Sequence, residues 1–119
     1  MADRYRVVLV TAPNKKEATQ LAKGLVRQKL AACVNVVPGV ESHYWWENKL
    51  ERAEELLLII KTRAGLIRDL TTYVKEHHSY KVPEVLSLEV SDGNPDYLDW
   101  VGANTTFTRA EEEADRKRS

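Results

Sequence analysis

Runs of apolar, largely β-branched residues predict four β-strands. The predicted strands are Arg6–Val10, Ala32–Val37 with its continuation Val40–Trp46, Ala53–Thr62 and Val85–Val90. Because proline cannot donate a backbone hydrogen bond, the interruption at Pro38-Gly39 indicates a bulge or bend in an edge strand. The short polar connection Glu47-Asn48-Lys49 follows the second strand, and we predict that the second and third strands form a hairpin.

Apolar residues recurring every three or four positions predict two helices, Lys15 to Lys29 and Ala64 to His77. Asn14 followed by Glu17 forms a capping box before the first helix, and Asn94-Pro95 is a typical start for a third, short helix. The resulting order is β-α-β-β-α-β followed by a helix. Two βα units joined by a hairpin predict an α+β, ferredoxin-like sandwich with both crossing helices on one face of an antiparallel sheet.

The length of 119 residues supports one domain, which we place at residues 1–108, followed by a charged tail at 109–119. Eighteen basic and eighteen acidic residues give a net charge of zero, so the sequence lacks the excess of basic residues that is typical of nucleic-acid-binding proteins. No apolar run approaches the ~20 residues that span a bilayer. The N-terminus lacks the pattern of a signal peptide, which predicts a cytoplasmic protein, with a longer precursor as the alternative.

Five segments occur in a characteristic order along the chain. They are Leu30–Gly39, Tyr44–Glu47, Ile60–Thr62, His77–Glu84 and Asp92–Trp100. Together they resemble the CutA family, the divalent-cation-tolerance proteins, over roughly Tyr5 to Phe107. The resemblance implies a ferredoxin-like subunit in a compact homotrimer, a link to tolerance of copper and other divalent metals, and a shape related to the PII signalling proteins, which bind small ligands between subunits.

The paired histidines His77 and His78 are the candidate metal ligands, because neutral imidazole binds Cu(II) and other divalent cations. This chain departs from the family pattern at one position, because the bacterial family members proposed to bind copper have a cysteine where this chain has Val10. A thiolate favours Cu(I), so its loss predicts weak binding. The alternative interpretation is structural: His77 closes the apolar stripe of its helix, and His78 caps the last carbonyls.

A second candidate site is a cleft between subunits, formed by Lys61, Tyr80, Glu84 and Trp46. A Lys–Glu pair beside a tyrosine could hold a small anion or a metal, whereas the structural alternatives are a rim salt bridge and aromatic packing at a subunit contact. Cys33 lies in an apolar strand with no basic neighbour in sequence, so we expect a buried, inert thiol.

No enzyme motif is present. The chain lacks a P-loop, a dinucleotide fingerprint, a zinc-protease helix and a nucleophile elbow, and Thr11–Asn14 has neither the glycine nor the arginine of an acylphosphatase loop. We therefore expect a non-enzymatic CutA-like trimer associated with metal tolerance. A PII-like small-ligand sensor and a structural trimer that binds protein partners remain as alternatives. Assembly is also predicted from the residues, because Leu56–Ile60 is apolar on both faces of its strand.

Overall fold

A computed structural model describes residues 4–106. Its elements are β1 (Tyr5–Ala12), α1 (Lys15–Arg27), β2 (Cys33–Trp46), β3 (Lys49–Arg63), a 3-10 turn (Ala64–Leu66), α2 (Ile67–His77), β4 (Leu86–Glu89) and α3 (Pro95–Ala103). The four strands form one antiparallel sheet in the order β2-β3-β1-β4. The predicted α+β, ferredoxin-like order is confirmed, whereas the tail at 109–119 lies outside the described residues. Among residues 4–106, no helix is long and apolar enough to cross a bilayer.

The hairpin of β2 and β3 is longer than the hydrophobic pattern predicts. Its ladder continues to the pair Trp46 and Lys49, so the turn consists of Glu47 and Asn48 alone. Both turn residues have positive φ angles, 50° and 65°. Two-residue turns of this kind match the twist of the flanking strands, and they allow a polar, partly exposed ladder to continue where apolar alternation has ended.

The predicted irregularity in β2 is confirmed. The register with β3 shifts between Val37 and Val40, and β2 lies at the edge of the sheet, where the missing N–H of Pro38 does no harm. Gly39 has a φ of 80°, a conformation that a residue without a Cβ adopts at little cost. Beyond this bulge the two strands continue to pair as far as Trp46 and Lys49.

Helices α1 and α2 cover one face of the sheet. Asn14 caps α1 by accepting a 2.9 Å hydrogen bond from the Glu17 N–H, as the capping box predicts. The residues buried between the helices and the sheet are Val8, Val10, Ala12, Ala18, Leu21, Leu25, Leu58, Ile60, Leu70 and Val74. Val10, the position of the missing cysteine, is thus a fully buried core residue.

The opposite face of the sheet, called here the open face, is also apolar. It consists of Val7, Leu9, Leu57, Ile59, Leu86 and Leu88. The residues of β1 and β3 in this set alternate with core residues along their strands. Leu88 and Leu86 of β4 pair with Val7 and Leu9. Helix α3 packs across one end of this face, where Val101 joins Tyr5 and Ala32. Leu86 and Leu88 remain 55% and 50% exposed, and no element within residues 4–106 covers them.

A close contact between α1 and α2 predicts an unusual response to a helix substitution. Gly24 is buried in α1, and a Cβ there would collide with the Tyr73 hydroxyl and lie 2.8 Å from its Cζ. Glycine to alanine usually stabilises a helix interior, but here we expect Gly24→Ala to lower the free energy of unfolding by about 1–3 kcal/mol. Denaturant unfolding measures this change.

The matched control is Gly102→Ala in α3, where the nearest atom, the Tyr5 hydroxyl oxygen, is 3.4 Å from the new Cβ. We expect this substitution to change the unfolding midpoint little. Equal effects at the two glycines would contradict the assigned packing of α1 against Tyr73.

Candidate functional site

A cleft lies between the β2–β3 hairpin and the segment that connects α2 to β4. Its volume is about 660 Å³. The residues that line it are Thr11, Ser42, His43, Tyr44, Trp46, Glu55, Ser79, Tyr80, Lys81, Val82 and Glu84. Three of the four predicted cleft residues, Trp46, Tyr80 and Glu84, therefore meet here within a single subunit.

Glu55 is the residue that sequence reasoning missed. It lies on β3 opposite Val40, just past the bulge, and is only 7% exposed. Its Oε2 accepts a 2.9 Å hydrogen bond from the Tyr80 hydroxyl, which joins the hairpin to the α2–β4 segment. Glu55 follows Glu54 in a polar stretch, and its one sequence signal is that it directly precedes the apolar run of β3.

Burial and negative charge determine the electrostatics of the cleft. Desolvation, followed by the nearby Glu55 charge, raises the pKa of Glu84 above its ordinary range. Desolvation is also the main cause that raises the pKa of Tyr80, and its hydrogen bond to Glu55 adds to this shift. Tyr80 is therefore a neutral hydrogen-bond donor at physiological pH, and the cleft disfavours further negative charge.

The fourth predicted residue, Lys61, is not among the residues that line this cleft. Its Nζ donates to the Asn35 side-chain oxygen and lies 3.9 Å from Cys33 Sγ, on the neighbouring strand β2. In the strand register Lys61 pairs with Val7 and Cys33, toward the α3 end of the sheet, whereas Glu55 pairs with Val40. Glu55 and Lys61 are six positions apart along β3, so the extended strand places their side chains in different regions of the subunit.

The expectation of a buried Cys33 is wrong. The side chain is partly exposed, because it begins the edge strand β2 on the open face, and an amine lies beside it. The apolar context in sequence indicates a strand but does not reveal that Lys61 pairs with it across the sheet.

His77 is the last residue of α2, and its exposed imidazole stacks on Tyr73 with ring centroids 4.0 Å apart. The Tyr73 carbonyl oxygen can only accept, so the 2.8 Å contact assigns the proton to His77 Nδ1. In the neutral ring the lone pair then belongs to Nε2. This arrangement, a carbonyl holding one nitrogen while the other presents a lone pair, is the usual one for a histidine that ligates a metal.

His78 has a different environment, because the helix ends before it and its backbone is extended. The side chain is completely buried, with Nε2 donating to the Thr11 carbonyl at 2.7 Å and Nδ1 accepting from the Tyr80 N–H at 3.0 Å. Glu17 Oε2 lies 3.3 Å from Nδ1 and also accepts from the Ser79 N–H. Both ring nitrogens of His78 thus hold the end of β1 and the start of the cleft segment in place.

The two predicted metal ligands are neighbours in the chain, but their side chains lie in different environments. His77 is at the surface with one ring nitrogen committed, and His78 is inside with both committed. Throughout residues 4–106, no three His, Cys, Asp or Glu side chains form a group that could hold a metal ion.

Comparison with known proteins identifies the fold and the family together. The family model described as CutA1 divalent ion tolerance protein matches residues 6–104. The chain belongs to the CutA1 family. The expected resemblance is confirmed, and with it the association with divalent-cation tolerance that the family's name carries.

CutA relatives occur in bacteria and plants. The chain is 46% identical over 99 residues to the "Divalent-cation tolerance protein CutA" of Thermus thermophilus, covering 83% of this chain and 96% of that protein. It is 52% identical over 99 residues to "Protein CutA 1, chloroplastic" of Oryza sativa, covering 83% of this chain but 56% of the rice protein. This chain thus matches little more than half of the rice protein's length.

Solved CutA structures share the architecture. A crystal structure of CutA1 from Oryza sativa superposes with a TM-score of 0.87 at 48% identity, covering 90% of this chain and 98% of that one. The four-stranded sheet and three helices are therefore those of the CutA1 fold.

The raised pKa of Glu84 generates a pH-dependent prediction. The pKa of Glu84 is higher in the folded protein than in the unfolded chain, where it has its ordinary value of about 4.3. The folded state therefore becomes less stable as the pH rises from about 4.3 through the pKa of folded Glu84. We expect Glu84→Gln to raise the melting temperature at pH 7 by about 1–3 °C, a small effect because solvent screens the side chain.

The difference between Glu84→Gln and the wild type should be small at about pH 4, which lies below the pKa of Glu84 in both states. Thermal melts at intervals from pH 4 to pH 8 measure it. Glu54→Gln is the control, since this side chain is 81% exposed and pairs with Arg52 at 3.6 Å. A difference that grows as pH falls would show that the assigned sign is wrong.

Proposed function

We propose that this CutA protein acts as a homotrimer in divalent-cation tolerance and that it does so without catalysing a reaction. The observation that carries the proposal is the uncovered, apolar open face of the sheet. The relatives support the non-enzymatic role in that they are named as tolerance proteins or simply as CutA. The cytoplasmic location stays a prediction from the sequence, and the rice relative's name places that protein in the chloroplast.

The drive to assemble follows from the two-sided apolar sheet. Burying one leucine or isoleucine side chain contributes about 1.5–3 kcal/mol, and several such residues of each subunit lie on the open face. Exposed Trp45 and Leu50, 72% and 68% accessible, add an apolar tip to the hairpin that can reach a neighbouring copy. Cyclic symmetry would cover these surfaces in every subunit at once, and the family resemblance supplies the number three.

Disrupting the open face should disrupt assembly. We expect wild type to sediment at about three times the 13.6 kDa subunit mass at low micromolar concentration. Its melting temperature should rise with protein concentration, because unfolding is coupled to dissociation. Leu88→Glu would place charge in the proposed interface and should shift the protein toward monomer. Sedimentation equilibrium and thermal melts measure both.

Val26→Glu is the matched control, because Val26 is 42% exposed on α1, away from the open face. It should leave the assembly intact. A folded, monodisperse wild-type species of 13.6 kDa would refute the trimer proposal.

For metal contact we propose His77 Nε2 as the ligand of Cu(II) or another divalent cation. The support is its exposed ring, its lone pair and the carbonyl that orients it. One imidazole supplies a single ligand atom, which agrees with the weak metal binding expected from the sequence. His78, in contrast, orients the cleft segment, and its substitution should act on stability.

Two histidine substitutions separate these roles. We expect His77→Ala to weaken Cu(II) binding at least about tenfold while changing the melting temperature little. His78→Ala should lower the free energy of unfolding by about 2–4 kcal/mol, because it removes a fully buried ring with two hydrogen bonds. Isothermal titration with a Cu(II) salt and chemical unfolding measure the two effects.

The control for the titration is His43→Ala, which removes another exposed histidine, one paired with Glu41 at 2.7 Å. It should leave the Cu(II) affinity near that of wild type. Equal Cu(II) affinity in wild type and His77→Ala would show that His77 is not the metal ligand.

A second candidate function is that of a small-ligand sensor, as in the PII-like alternative. The observation that favours it is the 660 Å³ cleft, which is large enough for a small organic molecule and is built on a rigid strand and an ordered segment. Its lining combines aromatic walls with buried polar groups, a common composition for ligand pockets.

A further inference from the structure

The cleft contains two carboxylates without a paired cation. Glu55 is more than nine-tenths buried, and its described hydrogen bond is the one donated by the Tyr80 hydroxyl to Oε2. Among residues 4–106, neither Glu55 nor Glu84 forms an ion pair with a lysine or arginine. Lys81 also lines the cleft, but it is exposed, and within residues 4–106 it forms no ion pair with either carboxylate.

Aromatic and apolar side chains form the rest of the cleft. Tyr44 and Trp46 contribute from the hairpin, and Val82 contributes from the opposite segment. All three remain substantially exposed, at 40%, 43% and 67%. Aromatic faces attract cations, and they also provide contact surface for an apolar group.

We propose that this cleft binds an organic cation, a small molecule with an ammonium group on an apolar body. The ammonium group lies against Glu55 and Glu84, and the apolar body packs against Trp46 and Tyr44. The proposal rests on the second candidate function, that the cleft holds a small ligand, and it specifies the chemical class of that ligand.

Charge and shape both favour this class over the alternatives. An anion would meet two carboxylates, one of them buried. A hard divalent cation such as Mg²⁺ prefers an octahedral set of oxygen ligands and gains little from aromatic walls. An ammonium group needs only one or two carboxylate acceptors, and charge-assisted hydrogen bonds to them are strong in a partly desolvated cleft.

The Glu84 carboxyl supplies independent support. Its pKa is raised by desolvation and by the Glu55 charge, so the two carboxylates repel each other in the protein without ligand. A bound cation would relieve that repulsion and favour ionised Glu84. Binding should therefore weaken as the pH falls and Glu84 becomes protonated.

The test uses the full chain in its native assembly and three probes of nearly equal shape: 2-phenylethylammonium, 2-phenylethanol and phenylacetate. Isothermal titration at pH 7.5 should show the ammonium binding at least about tenfold more tightly than the alcohol, and no binding of the carboxylate. The tight component should disappear as the pH is lowered to about 4.

Two variants locate the site. Glu55→Gln and Glu84→Gln should each weaken ammonium binding about tenfold or more, and Glu84→Gln provides the test if Glu55→Gln fails to fold, because Glu84 is an exposed residue. Glu54→Gln removes the adjacent carboxylate, which pairs with Arg52 outside the cleft, and should bind like wild type.

Three results would overturn the proposal: equal binding of alcohol and ammonium, equal losses in Glu54→Gln and Glu84→Gln, or MgCl₂ alone displacing the ammonium from the Glu84 site at equal concentration. If none of the three probes binds, both this proposal and the second candidate function are refuted, whereas equal binding of alcohol and ammonium refutes only the cationic class of the ligand. The first candidate function is tested by separate measurements. Sedimentation of the same samples reports the trimer, and Cu(II) titration of His77→Ala reports the metal contact, neither of which involves Glu55 or Glu84.

Discussion

The sheet of this protein has two apolar faces, and the two crossing helices can cover only one of them. Alternation along β1 and β3 sends Val8 and Val10 toward α1 and α2, and Val7 and Leu9 toward the open face. Helix α3 covers one end of that second face through Val101, and the rest of it stays apolar and accessible in the subunit. This imbalance underlies the proposed trimer, because a subunit with one apolar face of its sheet left accessible gains free energy when association buries that face.

His78 links the core to the cleft. Its buried ring accepts from the start of the α2–β4 segment and donates to the end of β1, so the backbone that carries Tyr80 is held against the sheet. Tyr80 in turn reaches Glu55 on the hairpin. The chain of contacts from His78 through Tyr80 to Glu55 gives the cleft fixed walls, and it explains why adjacent histidines have unlike roles, one structural and one exposed.

The long hairpin gives the subunit both its apolar tip and the outer wall of its cleft. The bulge at Pro38 and Gly39 shifts the register with β3, and beyond it the strands pair as far as Trp46 and Lys49. A regular strand without the bulge would present the opposite set of side chains to the cleft. The same two strands thus carry the aromatic wall and the carboxylate that together favour a cationic ligand.

The sequence by itself determined the fold class, the helix caps, the hairpin and the irregularity at Pro38, because each depends on periodicity or turn chemistry within a few neighbouring residues. Its five characteristic segments also identified the family. The site depended on tertiary structure. Register and packing between distant segments placed Glu55 beside Tyr80, left Lys61 beside Cys33, and buried His78 while exposing His77. A hydrophobic pattern shows which residues belong on a face, but it contains no information about which polar side chains from different strands come within hydrogen-bonding distance.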